Sequence, residues 1–109
     1  MNDAKDIRRR MRLASFSMHL MSPSRTFRVL KLLARPTARL TPELAAKLER
    51  EVGGGCLPRS MAIASRLAGA VVAIGVARPG ENWSAHAWVE LNGQPLNEID
   101  SNQPKIAEL

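Results

Sequence analysis

The chain has 109 residues, the length of one domain, and its hydrophobic fraction of 45% is that of a globular protein rather than a disordered one. The formal net charge is +6, and the single cysteine excludes an intramolecular disulfide framework and disfavours a cysteine-based zinc site. No apolar run reaches the roughly 18 residues of a membrane span. The basic N-terminus lacks a signal-peptide cleavage site, so we predict a cytoplasmic protein.

Two helices are predicted in the first 40 residues, which hold most of the arginine and lysine side chains. The first helix covers residues 5–21, and the second runs from Arg25 to about Ala34 after a break at residues 22–24. The second helix carries a broad apolar stripe that we expect to be buried, formed by Phe27, Val29, Leu30, Leu32 and Leu33. The basic residues indicate either a solvated helix face or a docking surface for an acidic partner.

The middle of the chain predicts two further helices. Thr41-Pro42-Glu43 is a typical helix start, with a capping threonine, a proline at the first position and an acid near the positive end of the dipole. This third helix runs to about Val52, and Gly53-Gly54-Gly55 ends it in a tight or flexible loop. The fourth helix follows from about Leu57 to Leu67.

The last third of the chain predicts strands. Residues 70–77 form an apolar run rich in β-branched residues, and residues 85–91 alternate as a half-buried strand does. Asn92-Gly93 is a strong hairpin signal, and residues 94–99 return as a third strand. The last ten residues predict a mobile tail or a short final element. Helices followed by strands indicate an α+β fold, with N-terminal helices packed on a small antiparallel sheet.

Cys56 is the first candidate functional residue, because it follows three glycines and lies where the fourth helix begins. The partial positive charge at a helix N-terminus favours a thiolate, which is the nucleophilic form of cysteine. Free amides in this turn are suited to bind the oxyanion of a tetrahedral intermediate, and Gly55 leaves room for a substrate backbone. An inert buried thiol is the alternative interpretation.

His86 is the second candidate, at the start of the strand that reads HAWVEL. A neutral histidine can accept the thiol proton and return it to the leaving amine. Trp88 shares the His86 face of the strand, and Trp83 lies in the preceding loop. Both tryptophans are candidates for the wall of a substrate groove, although Trp88 suits a core position equally well.

A third residue is needed to orient the imidazole. The candidates are Glu90, Asn97, Glu98 and Asp100. A two-residue turn at Asn92-Gly93 pairs His86 with Ile99, whereas a three-residue loop pairs His86 with Asp100 and places Glu98 on the same face. A slip of one residue moves every side chain to the opposite face, so the sequence leaves both registers open.

The strings CLPRSMAIASRLAGA, AIGV and HAWVELNGQPLNE resemble the lasso peptide biosynthesis B protein, in its C-terminal, transglutaminase-like peptidase portion. The resemblance covers about residues 40–99. It implies a transglutaminase-like, papain-like cysteine protease core within one domain of residues 1–109. On this basis, residues 1–40 are a basic helical region and residues 41–100 are the catalytic core.

The resemblance also implies roles for individual residues. Cys56 matches the nucleophile of the family's Cys-His-Asp triad, and His86 matches the base. The aspartate of the family falls at Glu98, so the chain departs from the pattern by carrying the longer acid. Asp100 is the alternative third member if the register shifts.

The family removes the leader from a ribosomally made precursor peptide, and a separate ATP-dependent cyclase then closes the freed core. Residues before 40 do not resemble the family's leader-recognition domain, so the chain resembles the split version, in which recognition is a separate protein. The implied partners are the precursor peptide, that recognition protein and the cyclase, with no cofactor and no membrane.

Three other functions remain open from the sequence. The chain is compatible with another thiol amidase of the same fold, with a scaffold that carries a vestigial site, and with a non-catalytic basic module. Nucleic acid is not the expected partner of such a module, because aromatic residues make up only 4% of the chain and no recognition motif is present.

Overall fold

The computed structural model describes residues 3–33, 40–77, 84–97 and 105–109. Four helices precede four strands along the chain. The helices are α1 (Asp3–Ser17), α2 (Pro23–Leu32), α3 (Pro42–Glu51) and α4 (Cys56–Ser65). The strands are β1 (Ala70–Ala77), β2 (Ser84–Leu91), β3 (Gln94–Pro95) and β4 (Lys105–Glu108). This order confirms the predicted α+β class. Within the described ranges no helix has the length and apolar character needed to cross a bilayer.

The start of α2 and the start of α3 are both capped by side chains. The Ser22 hydroxyl accepts a hydrogen bond from the Arg25 amide at 3.3 Å, and the Thr41 hydroxyl accepts one from the Leu44 amide at 3.2 Å. Each cap is followed by a proline, whose missing amide hydrogen costs nothing at a first helical position. The sequence therefore predicts the start of α3 correctly, whereas α2 begins at Pro23, two residues before its predicted start, and α1 ends at Ser17, earlier than predicted.

The sheet has the strand order β3-β2-β1-β4, and all neighbouring strands are antiparallel. β1 and β2 pair along their full lengths, from Ala70 opposite Leu91 to Ala77 opposite Ser84. The short final element that the sequence allowed is β4, which pairs with the other edge of β1. β3 contains only Gln94–Pro95. Within the described residues, the third strand is therefore shorter than the predicted range 94–99.

One face of the sheet and the four helices enclose the hydrophobic core. Val72 and Val89 contribute from the sheet, Met61 and Ile63 from α4, and Ile7 from α1, all of them without solvent exposure. α4 is the central helix, because it packs against the other three helices and against both long strands. This position holds the start of α4, and with it Cys56, in a fixed relation to β2.

The apolar stripe of α2 is only partly buried, which corrects the sequence prediction. Phe27 and Leu30 lie in the core, but Val29, Leu32 and Leu33 are 41%, 81% and 56% exposed. A short helix that packs on one side against α1 and α4 can bury only the residues on that side. A prediction from the hydrophobic residues alone therefore overestimates how many apolar side chains α2 buries.

A buried ionic cluster joins α1 to α2 and to the residue that follows α4. The Asp6 carboxylate accepts hydrogen bonds from Arg10 at 3.0 Å, from Arg66 at 3.1 Å and from Arg9 at 2.8 Å. Arg10 also donates to the Leu30 carbonyl oxygen at 3.2 Å. Burial by itself raises the pKa of Asp6, but the hydrogen bonds from Arg10 and Arg9 and the charges of Arg10 and Arg66 together hold that pKa below its usual value.

Candidate active site

Cys56 is the first residue of α4, and its half-buried side chain packs against the core. Gly55 caps the helix through its backbone alone, with φ −65° and ψ 140°. Pro58 has no amide hydrogen, and the Arg59 amide donates to the Gly55 carbonyl oxygen at 3.1 Å. The amides available to an oxyanion at this helix start are therefore those of Cys56 and Leu57.

The Gly53–Gly55 loop connects α3 to α4 and packs on α1. Gly54 has φ +100°, and a Cβ at this position would lie 2.6 Å from Cε of Met11. Arg59 Nη1 donates to the Val52 carbonyl oxygen at 3.5 Å, which ties the two ends of the loop together. A Cβ at Gly53 would meet nothing within 4 Å, so only Gly54 is fixed by both its conformation and its surroundings.

We expect Gly54→Ala to destabilise the protein by about 1–3 kcal/mol, because alanine is strained at this φ and its methyl group must displace Met11. Gly53→Ala is the matched control, and its effect is expected to stay within about 0.5 kcal/mol. Urea unfolding followed by circular dichroism measures both changes. Equal destabilisation by the two substitutions would contradict the conformational requirement at Gly54.

An open groove of about 670 Å³ runs beside the start of α4. One wall is a face of α1 that carries Arg8 and Arg12, and the other wall is the backbone of Gly53–Gly55. Arg8 and Arg12 are exposed, lie one helical turn apart and form no ion pair with any carboxylate of the described residues. The groove is therefore basic on one side and formed by the glycine backbone and Pro58 on the other.

His86 lies half-buried on β2, opposite Gly75 of β1. Because α4 packs against β2, the elements that carry Cys56 and His86 are neighbours. Ala87 and Val89 belong to the core beneath the helices, so strand alternation places His86 on the opposite face of β2. Cys56 and His86 thus lie on neighbouring elements but on different sides of the strand backbone.

Trp88 is buried on the His86 face of β2. Its indole Nε1 donates to Glu90 Oε2 at 2.8 Å, and Lys105 of β4 donates to Glu90 Oε1 at 2.9 Å. Glu90 is four residues from His86, which is ~13 Å along an extended strand, so this carboxylate is too far away to orient the imidazole. In the structure, Trp88 is a buried residue that is hydrogen-bonded to Glu90. Its substrate-binding role stays a prediction.

The hairpin has a two-residue turn, which is the first of the two alternatives that the sequence allows. Asn92 has φ 54° and Gly93 has φ 78°, and Leu91 pairs with Gln94. The Leu96 amide still donates to the Val89 carbonyl oxygen at 3.0 Å.

After Leu96 the chain binds α3. Asn97 Nδ2 donates to the Ala46 carbonyl oxygen at 3.0 Å and to Glu49 Oε1 at 2.8 Å, so its amide is committed to that helix. The other predicted site residues, Trp83, Glu98 and Asp100, lie outside the described residues.

Glu49 is a structural residue that the sequence analysis does not identify. Its Oε2 accepts a hydrogen bond from the Val89 amide at 2.9 Å, in addition to the bond from Asn97 to Oε1. Glu49 therefore holds β2 and the chain after the hairpin against α3. The available signal is an acid on the buried face of α3, four residues after Ala45 and next to Leu48.

Removing the Glu49 carboxylate should loosen β2. We expect Glu49→Ala to lower the free energy of unfolding by about 1–3 kcal/mol, because the buried Val89 amide loses its acceptor. Amide hydrogen exchange at Val89 should also accelerate. Glu51→Ala, at an exposed site on the same helix, is the control and should change neither quantity. Unchanged protection of Val89 in Glu49→Ala would show that this hydrogen bond does not hold the strand.

Among the residues that the structure describes, no three His, Cys, Asp or Glu side chains are grouped as the ligands of a metal ion are.

The family model of the transglutaminase-like superfamily matches residues 3–109. No curated protein and no solved structure matches the chain significantly.

Proposed function

Since the chain belongs to the transglutaminase-like superfamily, we propose that it is a cysteine peptidase that removes the leader from a ribosomally synthesised lasso peptide precursor. The superfamily includes cysteine proteases, and its fold commonly supports peptidase and acyl-transfer chemistry. The observation that carries the proposal is the position of Cys56 as the first residue of a central helix, directly after Gly53–Gly55, which line an open groove.

In the proposed reaction, the Cys56 thiolate attacks the carbonyl carbon of the bond between leader and core. The amides of Cys56 and Leu57 stabilise the oxyanion of the tetrahedral intermediate. His86 accepts the thiol proton and transfers it to the leaving amine, so the core departs with a free N-terminus and the leader stays on sulfur as a thioester. Water then attacks the thioester, which releases the leader carboxylate and restores the thiol.

The third member of the triad is proposed to be Glu98, with Asp100 as the alternative. A carboxylate at either position would hold the imidazole in the tautomer that accepts the thiol proton and would stabilise the imidazolium. Gly55, Trp83 and Trp88 are proposed to contact the peptide. Arg8 and Arg12 would provide a positive wall in the groove that Gly55 lines.

The proposal assigns leader binding, cleavage and cyclisation to separate proteins. A separate recognition protein is proposed to bind the leader, and the ATP-dependent cyclase is proposed to take the freed core, in the cytoplasm. A free core N-terminus is the group that a cyclase would join to a side-chain carboxylate, so cleavage has to come before closure.

The test is cleavage of a lasso precursor peptide, with and without the recognition protein from the same gene cluster, followed by mass spectrometry. One cut at the junction of leader and core, enhanced by the recognition protein, is the expected result. Absence of any cut in a folded complex with its own precursor would refute the proposal.

A non-catalytic scaffold is the second candidate, and one observation favours it. Strand alternation places the His86 side chain on the face of β2 away from the core against which Cys56 packs. The rate of Cys56 alkylation by iodoacetamide, measured across pH, separates the two functions. A catalytic pair predicts a profile that changes in His86→Ala, whereas a scaffold predicts the same profile in both proteins.

A further inference from the structure

Apolar side chains are exposed together where α1 ends beside α2. Phe16 and Leu20 are 67% and 72% exposed, and together with Leu13, Val29 and Leu33 they line a groove of about 210 Å³. We call this feature the α1–α2 groove. Isolated exposed leucines are ordinary on protein surfaces, but a contiguous apolar concavity usually marks a binding site.

The rim of the α1–α2 groove is positively charged. α2 carries three exposed cations, Arg25, Arg28 and Lys31, and no aspartate or glutamate. Arg25 lies one helical turn before Val29, which lines the groove, and both Arg25 and Arg28 are exposed. Neither forms an ion pair with a carboxylate of the described residues.

We propose that the α1–α2 groove binds an acidic amphipathic helix of another protein. The apolar face of that helix would fill the groove between α1 and α2, and acids on its flanks would meet the basic rim. The groove is separate from the groove beside Cys56, since the two share no lining residue. This inference therefore does not depend on the proposed peptidase activity.

Charge and shape exclude the other occupants. A second copy of this chain would bring two basic rims together, and like charges across an interface oppose association. An anionic membrane would satisfy the charge, but a bilayer favours protruding apolar side chains over a concavity between two helices. A helix with alternating apolar and acidic faces satisfies both the shape and the charge.

The test uses a fluorescent helical peptide of about 18 residues, with leucines at i, i+3, i+4 and i+7 and glutamates on both flanks. A scrambled peptide of identical composition keeps the charge and loses the apolar face. Binding is measured by fluorescence anisotropy at two salt concentrations. The proteins are wild type, the double variant Phe16→Ser/Leu33→Ser, the double variant Arg25→Glu/Arg28→Glu, and Ile106→Ser as an exposed apolar control on β4.

The expected result is binding of the amphipathic peptide and not of the scrambled one. Each double variant should weaken binding by at least about tenfold, and Ile106→Ser should not change it. All the substituted side chains are exposed, and circular dichroism verifies the fold.

Three outcomes would overturn the proposal. The first is equal binding of both peptides. The second is tighter binding to vesicles of phosphatidylglycerol than to the peptide. The third is a dimer of the wild type that Phe16→Ser/Leu33→Ser dissociates.

Discussion

Cys56→Ala is expected to reduce kcat/KM for precursor cleavage by at least about 10³-fold, the scale on which loss of a catalytic nucleophile acts in covalent catalysis. The substitution removes the only thiol of the chain, so no thioester with the leader can form. Because Cys56 is half-buried at a helix start and alanine suits helices, the fold should remain intact. The measurement is mass spectrometry of precursor and products over time, with the recognition protein present.

Two controls make this result specific to the thiol. The wild type should lose the same activity after treatment with iodoacetamide, and mass spectrometry should find the adduct on Cys56. Circular dichroism and urea unfolding should show that Cys56→Ala is as stable as the wild type within about 1 kcal/mol. Cleavage that continues unchanged in Cys56→Ala would assign the reaction to another group or to a contaminating protease.

Asp6→Asn is expected to have the largest effect on stability, a loss of about 3–5 kcal/mol in the free energy of unfolding. The substitution leaves Arg10 and Arg66 buried without the carboxylate that both contact, at 3.0 and 3.1 Å. For a domain of this size the loss is a large share of total stability. Urea unfolding of the 109-residue chain at neutral pH measures this loss.

Asp3→Asn is the matched control for Asp6→Asn. Asp3 also pairs with Arg66, at 2.7 Å, but the Asp3 side chain is 35% exposed, so its loss should cost at most about 1 kcal/mol. If both variants were destabilised equally, burial would not be the reason for the importance of Asp6.

The same carboxylate makes stability dependent on pH. The pKa of Asp6 is lower in the folded protein than in the unfolded chain, where it is about 3.9. The stabilisation is therefore complete above that unfolded value and is lost as the pH falls through the folded value. Wild-type unfolding free energy should decline below about pH 4, and the decline should be shallower in Asp6→Asn. Parallel curves for the two proteins would assign acid sensitivity to other carboxylates.

The local structure of this protein can be predicted from its sequence alone. The capped starts of α2 and α3, the buried strand Ala70–Ala77, the Asn92-Gly93 turn and the helix that begins at Cys56 all follow from short-range rules. Each rule depends on residues within a few positions of one another, so the order of elements and the α+β class can be predicted.

Contacts between side chains that are distant in the sequence depend on how the helices and strands pack together. α2 exposes Val29 and Leu33 because one side of a short helix packs on α1 and α4. β3 ends at Pro95, and two residues later the Asn97 side chain is hydrogen-bonded to α3.

The hydrogen bonds of the core and the position of His86 also depend on the packing of distant parts of the chain. Glu49 reaches Val89 across 40 positions, and Arg66 reaches Asp6 across 60. The side of β2 that His86 occupies depends on which face of the sheet the helices cover, and that choice is made by the whole core rather than by any local pattern.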